Sequence, residues 1–271
     1  MAEIETILLR AKKELYSYLN GHNLSTILGQ GYDFAELREY QVGDDTRHIS
    51  WINSAKLGQP YIKKMHEERE LSVAVCSLMD GRFLLGEKRE ILMKSLAILG
   101  YSAYEANDLF LSLNLVGERV KLYPPSKDIE AVENALNDIY QAKLLNQRLD
   151  YAKVPSLLLE RIEQKSLLFI VGDFLDPIDL SIVAEKHEVI LLIIRDPEEE
   201  HPTPASNTQL INPQNSQALA QKLTPKAIKY YEAQRQAHDE RLRKTAYRYG
   251  VRLIKIHKKD EVLARIIEVI S

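Results

Sequence analysis

Three short, almost wholly apolar runs constrain this chain most: LSVAVCSLM from Leu71, SLLFIVGD ending at Asp173, and HEVILLIIRD from His187. A fourth, VRLIKIHKK, starts at Val251. Strands that are apolar at nearly every position are buried on both faces, and that is the habit of parallel sheets covered by helices. Helical patterns fill the gaps. Between the first two runs, Glu87 to Ala106 places Ile91, Leu92, Ser95, Leu96 and Leu99 on one helical face. LFLSLNL, the turn at Val116-Gly117 and ERVKLY form a hairpin that Pro124-Pro125 ends, and further helices span about Lys127–Ala142 and Ala152–Gln164. Later helical stretches run near Pro177–Glu185, from Pro225 to Tyr249, and over DEVLARIIEVI. The alternation predicts an α/β fold: a doubly wound, mostly parallel sheet with one antiparallel edge strand. Ligands in such folds sit beyond the carboxyl ends of strands where the order reverses, and Asp80 and Asp173 each close an apolar run there.

Ahead of that domain, Ile4, Ile7, Leu8, Ala11, Leu15 and Leu19 repeat at helical spacing, with Asn20-Gly21 as a stop. Then comes GQGYDFAELREYQVGDDTRHISWINSAK, Gly29 to Lys56, which fits neither a helical nor a strand period. It reads as an ordered, polar arm. After Pro60, YIKKMHEE suits an exposed strand beside LSVAVCSLM in one sheet. The expected division is an N-terminal helix and arm, 1–69, packing on a main domain, 70–271. From Asp196 to Ser216 the chain reads as a long loop.

Composition closes off several classes. A net charge of -3 offers no basic surface, so nucleic acid is not an expected partner. The one cysteine, Cys76, excludes a disulfide framework and a cysteine metal cluster. The N-terminal residues carry charges too early for a signal peptide, and the run Val189–Ile194 is too short to span a bilayer. These features point to a cytoplasmic protein with no membrane insertion. No G-x-S-x-G elbow, Walker loop or zinc-protease helix is present, so no catalytic residue is assigned.

The arm carries a motif: Arg38-Glu39-Tyr40, Gly43-Asp44-Asp45, Arg47, Ile49, Trp51 and Ser54-Ala55-Lys56. It resembles the signature R-E-Y-x-x-G-D-D-x-R-x-I-D-W-x-x-[ST]-A-R of the bacterial domain-of-unknown-function-58 proteins, relatives of the von Willebrand factor A domain. Ser50 and Lys56 depart from it. Val171-Gly172-Asp173-Phe174, His187-Glu188-Val189, Arg195-Asp196-Pro197 and Glu199 resemble other segments of that family, so the likeness runs from about Gly29 to the end.

The resemblance implies a von Willebrand A-like fold, and a von Willebrand A domain holds Mg²⁺ through a D-x-S-x-S motif, a threonine and a second aspartate. Here the motif reads Asp80-Gly81-Arg82-Phe83-Leu84, and Asn146 to Asp150 contains no threonine. Only Asp80 and Asp173 survive, so the site is expected to be degenerate, with Arg82 blocking the metal and no cofactor required. The resemblance further implies a non-enzymatic adaptor for a MoxR-type AAA ATPase, acting on unknown client proteins. A Mg²⁺-dependent ligand-binding domain and a metal-dependent hydrolase are the alternatives. Arg38, Glu39, Tyr40, Gly43, Asp44, Asp45, Arg47 and Trp51 leave two readings open: partner contact, or an ion-pair network that anchors the arm with Trp51 buried beneath it.

Overall fold

The computed structural model describes residues 2–19, 34–41, 49–65, 72–205, 209–220 and 223–270. Two compact units emerge: Met1–Asn23 with Leu71–Ser271, and Leu24–Glu70. Helix α1 (Ala2–Leu19) belongs to the larger unit and not with the arm, while the boundary after Glu70 lies one residue from the expected division. The reason is local: Ala11 and Leu15 are buried, and Glu14 accepts a 2.8 Å hydrogen bond from Lys94 in the main domain.

The smaller unit holds strand β1 (Phe34–Glu39), helix α2 (Trp51–Leu57) and strand β2 (Tyr61–Met65). Strand β2 pairs antiparallel with β1, Arg38 opposite Ile62 and Glu39 opposite Tyr61, in a two-stranded sheet of its own. Among the described residues it thus belongs to a different sheet from the first apolar run, contrary to the sequence expectation. The stretch read as aperiodic contains a strand and a helix, and β1 is specified by pairing with β2 beyond that helix, a non-local term that a periodicity window does not register.

The larger unit continues with β3 (Ser72–Met79), α3 (Lys88–Glu105), β4 (Leu109–Val116), β5 (Arg119–Ser126), α4 (Ile129–Gln141), α5 (Val154–Arg161) and β6 (Leu167–Gly172). After these come α6 (Ser181–Lys186), β7 (Glu188–Ile194), α7 (Pro197–Glu200), β8 (Gln209–Ile211), β9 (Ala218–Ala220), α8 (Pro225–Arg248), β10 (Arg252–Ile256) and α9 (Val262–Ile270). Six strands form the main sheet in the order β10-β7-β6-β3-β4-β5, parallel except for β5, which runs antiparallel to β4. The α/β doubly wound fold read from the alternating runs is the fold observed. Strand β5 runs through Pro124-Pro125, which does not end the pair; an edge strand tolerates proline because its outward N–H groups have no ladder partner to lose.

Every residue of β3 and β6 is buried, as their central places require. On one face Ala74, Cys76, Leu78, Leu168 and Ile170 pack with Val154, Leu158, Val183 and Ala246 from α5, α6 and α8. Helices α3, α4 and α9 cover the other face. From β3 the chain winds outward to β4 and β5, then returns to β6 on the opposite side of β3. The strand order reverses between β3 and β6, and the crevice lies at their carboxyl ends. Among the described residues no helix is long and apolar enough to cross a membrane.

Candidate functional site at the sheet crest

Asp80 follows β3 and Asp173 follows β6, so the two carboxylates flank the reversal point. Asp80 caps the short 3-10 turn Gly81–Leu84, its Oδ1 accepting the Arg82 N–H at 2.8 Å. That turn swings the Arg82 guanidinium back over the crevice. Nε lies 3.2 and 3.1 Å from the two Asp80 oxygens and 3.1 Å from Asp173 Oδ2. Nη2 lies 2.8 Å from Asp80 Oδ2 and 3.0 Å from Asp176 Oδ2.

A second cation approaches from α3. Lys88 stands at the amino end of that helix, where the macrodipole disfavours a positive charge, and its side chain is fully buried. Its Nζ is 3.2 Å from Asp173 Oδ2 and 2.8 and 3.0 Å from the Glu199 oxygens. Asp173 Oδ1 accepts from Tyr151 Oη at 3.0 Å and from the Leu175 N–H at 3.2 Å. Burial alone would raise the Asp173 pKa, yet Lys88 and Arg82 overcome it and hold the group below the ordinary carboxylate value. Burial, and then Asp173, push the Tyr151 phenol well up, so it stays a donor.

The backbone at Phe174, directly after Asp173, takes φ +49, a costly conformation for a bulky residue. Its ring is fully buried and its carbonyl accepts from His238 Nε2 at 2.8 Å. Beyond it lies a second charged group at the ends of β7 and β10. Arg195 Nη2 is 3.0 Å from Asp239 Oδ1, Arg235 Nη1 reaches Glu200 at 2.7 Å, and Lys255 reaches both carboxylates at 2.6 and 2.7 Å.

The segment expected to be a loop instead builds α7 and the β8–β9 hairpin, and the hairpin tip touches the crest. Gln214 Nε2 donates to Asp80 Oδ2 at 2.7 Å, and the Pro213 carbonyl accepts the Asn146 N–H at 2.9 Å. A Cβ on Gly81 would stand 2.3 Å from that carbonyl oxygen, a backbone atom that cannot rotate away. Gly81→Ala is therefore expected to displace the tip and cost about 1–3 kcal/mol, the usual range for overpacking. Urea unfolding measures the loss, and limited proteolysis should show faster cleavage within 209–220.

A divalent ion does not fit this residue set. Mg²⁺ requires near-octahedral oxygen ligation, whereas both carboxylates already accept from at least three donors. An ion about 4 Å from the guanidinium would meet roughly 8 kcal/mol of repulsion at an effective dielectric of about 20.

The signature residues lie in the smaller unit. Arg38 and Glu39 end β1, and the Tyr40 N–H donates to the Pro60 carbonyl at 2.8 Å. Gly43, Asp44, Asp45 and Arg47 fall outside the described residues. Ser54 latches α2 to β2, its Oγ accepting the Tyr61 N–H at 2.8 Å. Trp51 opens the seven-residue helix α2 and is 73% exposed, which does not fit the reading of a buried anchor.

Sequence reasoning missed Lys88, Tyr151 and Gln214, and named Glu199 only within a family-like segment, with no role at the crest. Lys88 sits in Glu87-Lys88-Arg89-Glu90, which reads as a solvated helix start. Arg195 did carry a signal, a charge closing the longest apolar run.

Residues 36–241 match the family model described as "Protein of unknown function DUF58". The uncharacterized protein Rv1480 of Mycobacterium tuberculosis is 27% identical over 207 residues, 72% of this chain and 65% of that protein. The match thus spans under two thirds of that relative's length. Two solved structures align at a TM-score of 0.43 each. The conserved hypothetical protein BatB from Bacteroides thetaiotaomicron is 11% identical, with 74% of this chain and 97% of that one covered. An aerotolerance-related membrane protein from Bacteroides fragilis is 12% identical, with 74% and 98% covered.

Proposed function

The chain belongs to the DUF58 family, and from that membership we propose that it is a non-enzymatic protein-interaction module. In this reading it is a cytoplasmic adaptor that presents client proteins to a MoxR-type AAA ATPase. The ATPase supplies the energy for assembly or maturation, and this chain supplies recognition. The partnership follows from the family resemblance; the observation that carries the interaction role is the exposure of Trp51.

A tryptophan left in water forgoes a large apolar gain, and exposed aromatics of this size commonly anchor interfaces. Here it stands on a short helix fixed by Ser54 and capped by Gly58 in the left-handed conformation (φ +75), so the indole is offered from an ordered support. The crest argues in the same direction. A hydrolase needs a carboxylate free to take a proton or hold a metal, and Asp80 and Asp173 are both fully engaged by protein donors.

The test is capture of the ATPase from native lysate on the tagged full chain, with Mg²⁺ and a slowly hydrolysed ATP analogue, identified by mass spectrometry. Trp51→Ala is expected to reduce recovery by roughly tenfold or more while leaving the melting temperature unchanged. Full recovery with Trp51→Ala, or no ATPase with the unaltered chain, would count against the adaptor reading.

A further inference from the structure

We infer that two tethered cations, the Arg82 guanidinium and the Lys88 ammonium, replace the divalent ion of the metal-bearing von Willebrand A pattern, so that the crest between β3 and β6 holds its form without metal. This concerns the crest alone and does not rest on the adaptor reading.

Charge and position both match. Asp80 and Asp173 are 2% and 0% exposed, and together carry two negative charges that cannot stay buried uncompensated. Arg82 and Lys88 bring the two positive charges that one divalent ion would bring. The Arg82 Nε stands within 3.2 Å of both carboxylates, the bridging place between them. It arrives from the third position of the motif, where the metal pattern has a hydroxyl ligand. Lys88 meets the same Asp173 oxygen, Oδ2, that Arg82 Nε meets, at 3.2 Å.

The remaining acceptor capacity is also used. Asp173 Oδ1 is filled by Tyr151 and Leu175, and Asp80 Oδ2 is filled from outside by Gln214. Each cation is further held by a carboxylate on its other side, Arg82 by Asp176 and Lys88 by Glu199. The arrangement closes on itself. A tethered cation does not dissociate, so neither chelation nor metal scarcity changes the state of the crest.

The experiment uses the full chain with Mn²⁺ as the probe: paramagnetic-resonance titration, and thermal unfolding in EDTA, Mg²⁺ and Mn²⁺. The unaltered protein is expected to bind no Mn²⁺ at millimolar concentration and to melt at one temperature in all three. Arg82→Met should lower that temperature by on the order of 10 °C, the consequence of stripping one partner from a buried ion pair. Arg82→Lys, which keeps the charge but not the fork, should fall between. Sub-millimolar Mn²⁺ binding that disappears in Asp173→Ala would overturn the inference. So would an Arg82→Met protein that melts like the unaltered one, or an Arg82→Lys protein no more stable than Arg82→Met. If Arg82→Met does not fold, the Mn²⁺ titration still decides.

Discussion

Replacing Lys88 with methionine is expected to lower the free energy of unfolding by about 3–5 kcal/mol, the usual consequence of removing one partner from a buried ion pair. The side chains are of similar length, so little packing is lost. What changes is charge. Lys88 and Asp173 are both fully excluded from solvent, and Glu199 is nearly so. Without the ammonium, Glu199 loses both of its bonds to it, and Asp173 keeps one cation where it had two. Urea unfolding of the single variant, of Asp173→Asn and of the double variant measures the coupling. The double variant should lose clearly less than the sum of the singles, because each single leaves a charge stranded that the double removes. A loss under about 1 kcal/mol for Lys88→Met would place the pair with exposed salt bridges instead.

Acidification gives the second large effect. His187 is 3% exposed, and its Nδ1 accepts the Ser166 N–H at 3.3 Å. Burial, and then Lys186, lower its pKa from 6.5 to about 4. The folded protein thus keeps the imidazole neutral while the unfolded chain protonates it below pH 6.5. The unfolded state binds more protons in that interval, so stability falls as pH drops from about 6.5 to about 4, by up to about 3 kcal/mol from this group. The carboxylates act at still lower pH and with the same sign. Asp173 and Glu200 both have depressed pKa values, Glu200 chiefly through its bond to His257. Their contribution is complete above the ordinary carboxylate range and is lost as pH falls through their lower folded values. Urea midpoints from pH 7 to 4 should therefore decline, and His187→Asn, which keeps an acceptor for Ser166, should flatten the slope between 6.5 and 4. An unchanged slope would assign the acid sensitivity elsewhere.

The sheet was legible in the sequence because its information is local. Apolar runs such as FIVG and VILLII have no solvent face to encode, and that absence of alternation identifies central parallel strands. Asp80 and Asp173 could be placed for the same reason, each being the first charge after such a run. Other features depend on partners distant in sequence. Lys88 is 85 residues from Asp173, and Gln214 is 134 from Asp80. Neither carries a local mark that separates it from a solvated residue. Strand β1 was missed because FAELRE becomes a strand only when Tyr61–Met65 lies beside it. Trp51 shows a different limit, since the motif left burial under an ion-pair network and partner contact both open, and the indole is 73% exposed.

Cys76 lies at the centre of β3, fully buried between β4 and β6, and burial pushes its thiol pKa well up. As the chain's one cysteine, it makes the middle of the sheet its own reporter. A thiol reagent reaches the sulfur only when strands part, so the modification rate in native buffer reads the frequency of core opening. The same silence leaves a cysteine introduced at an exposed position free to carry a single fluorophore.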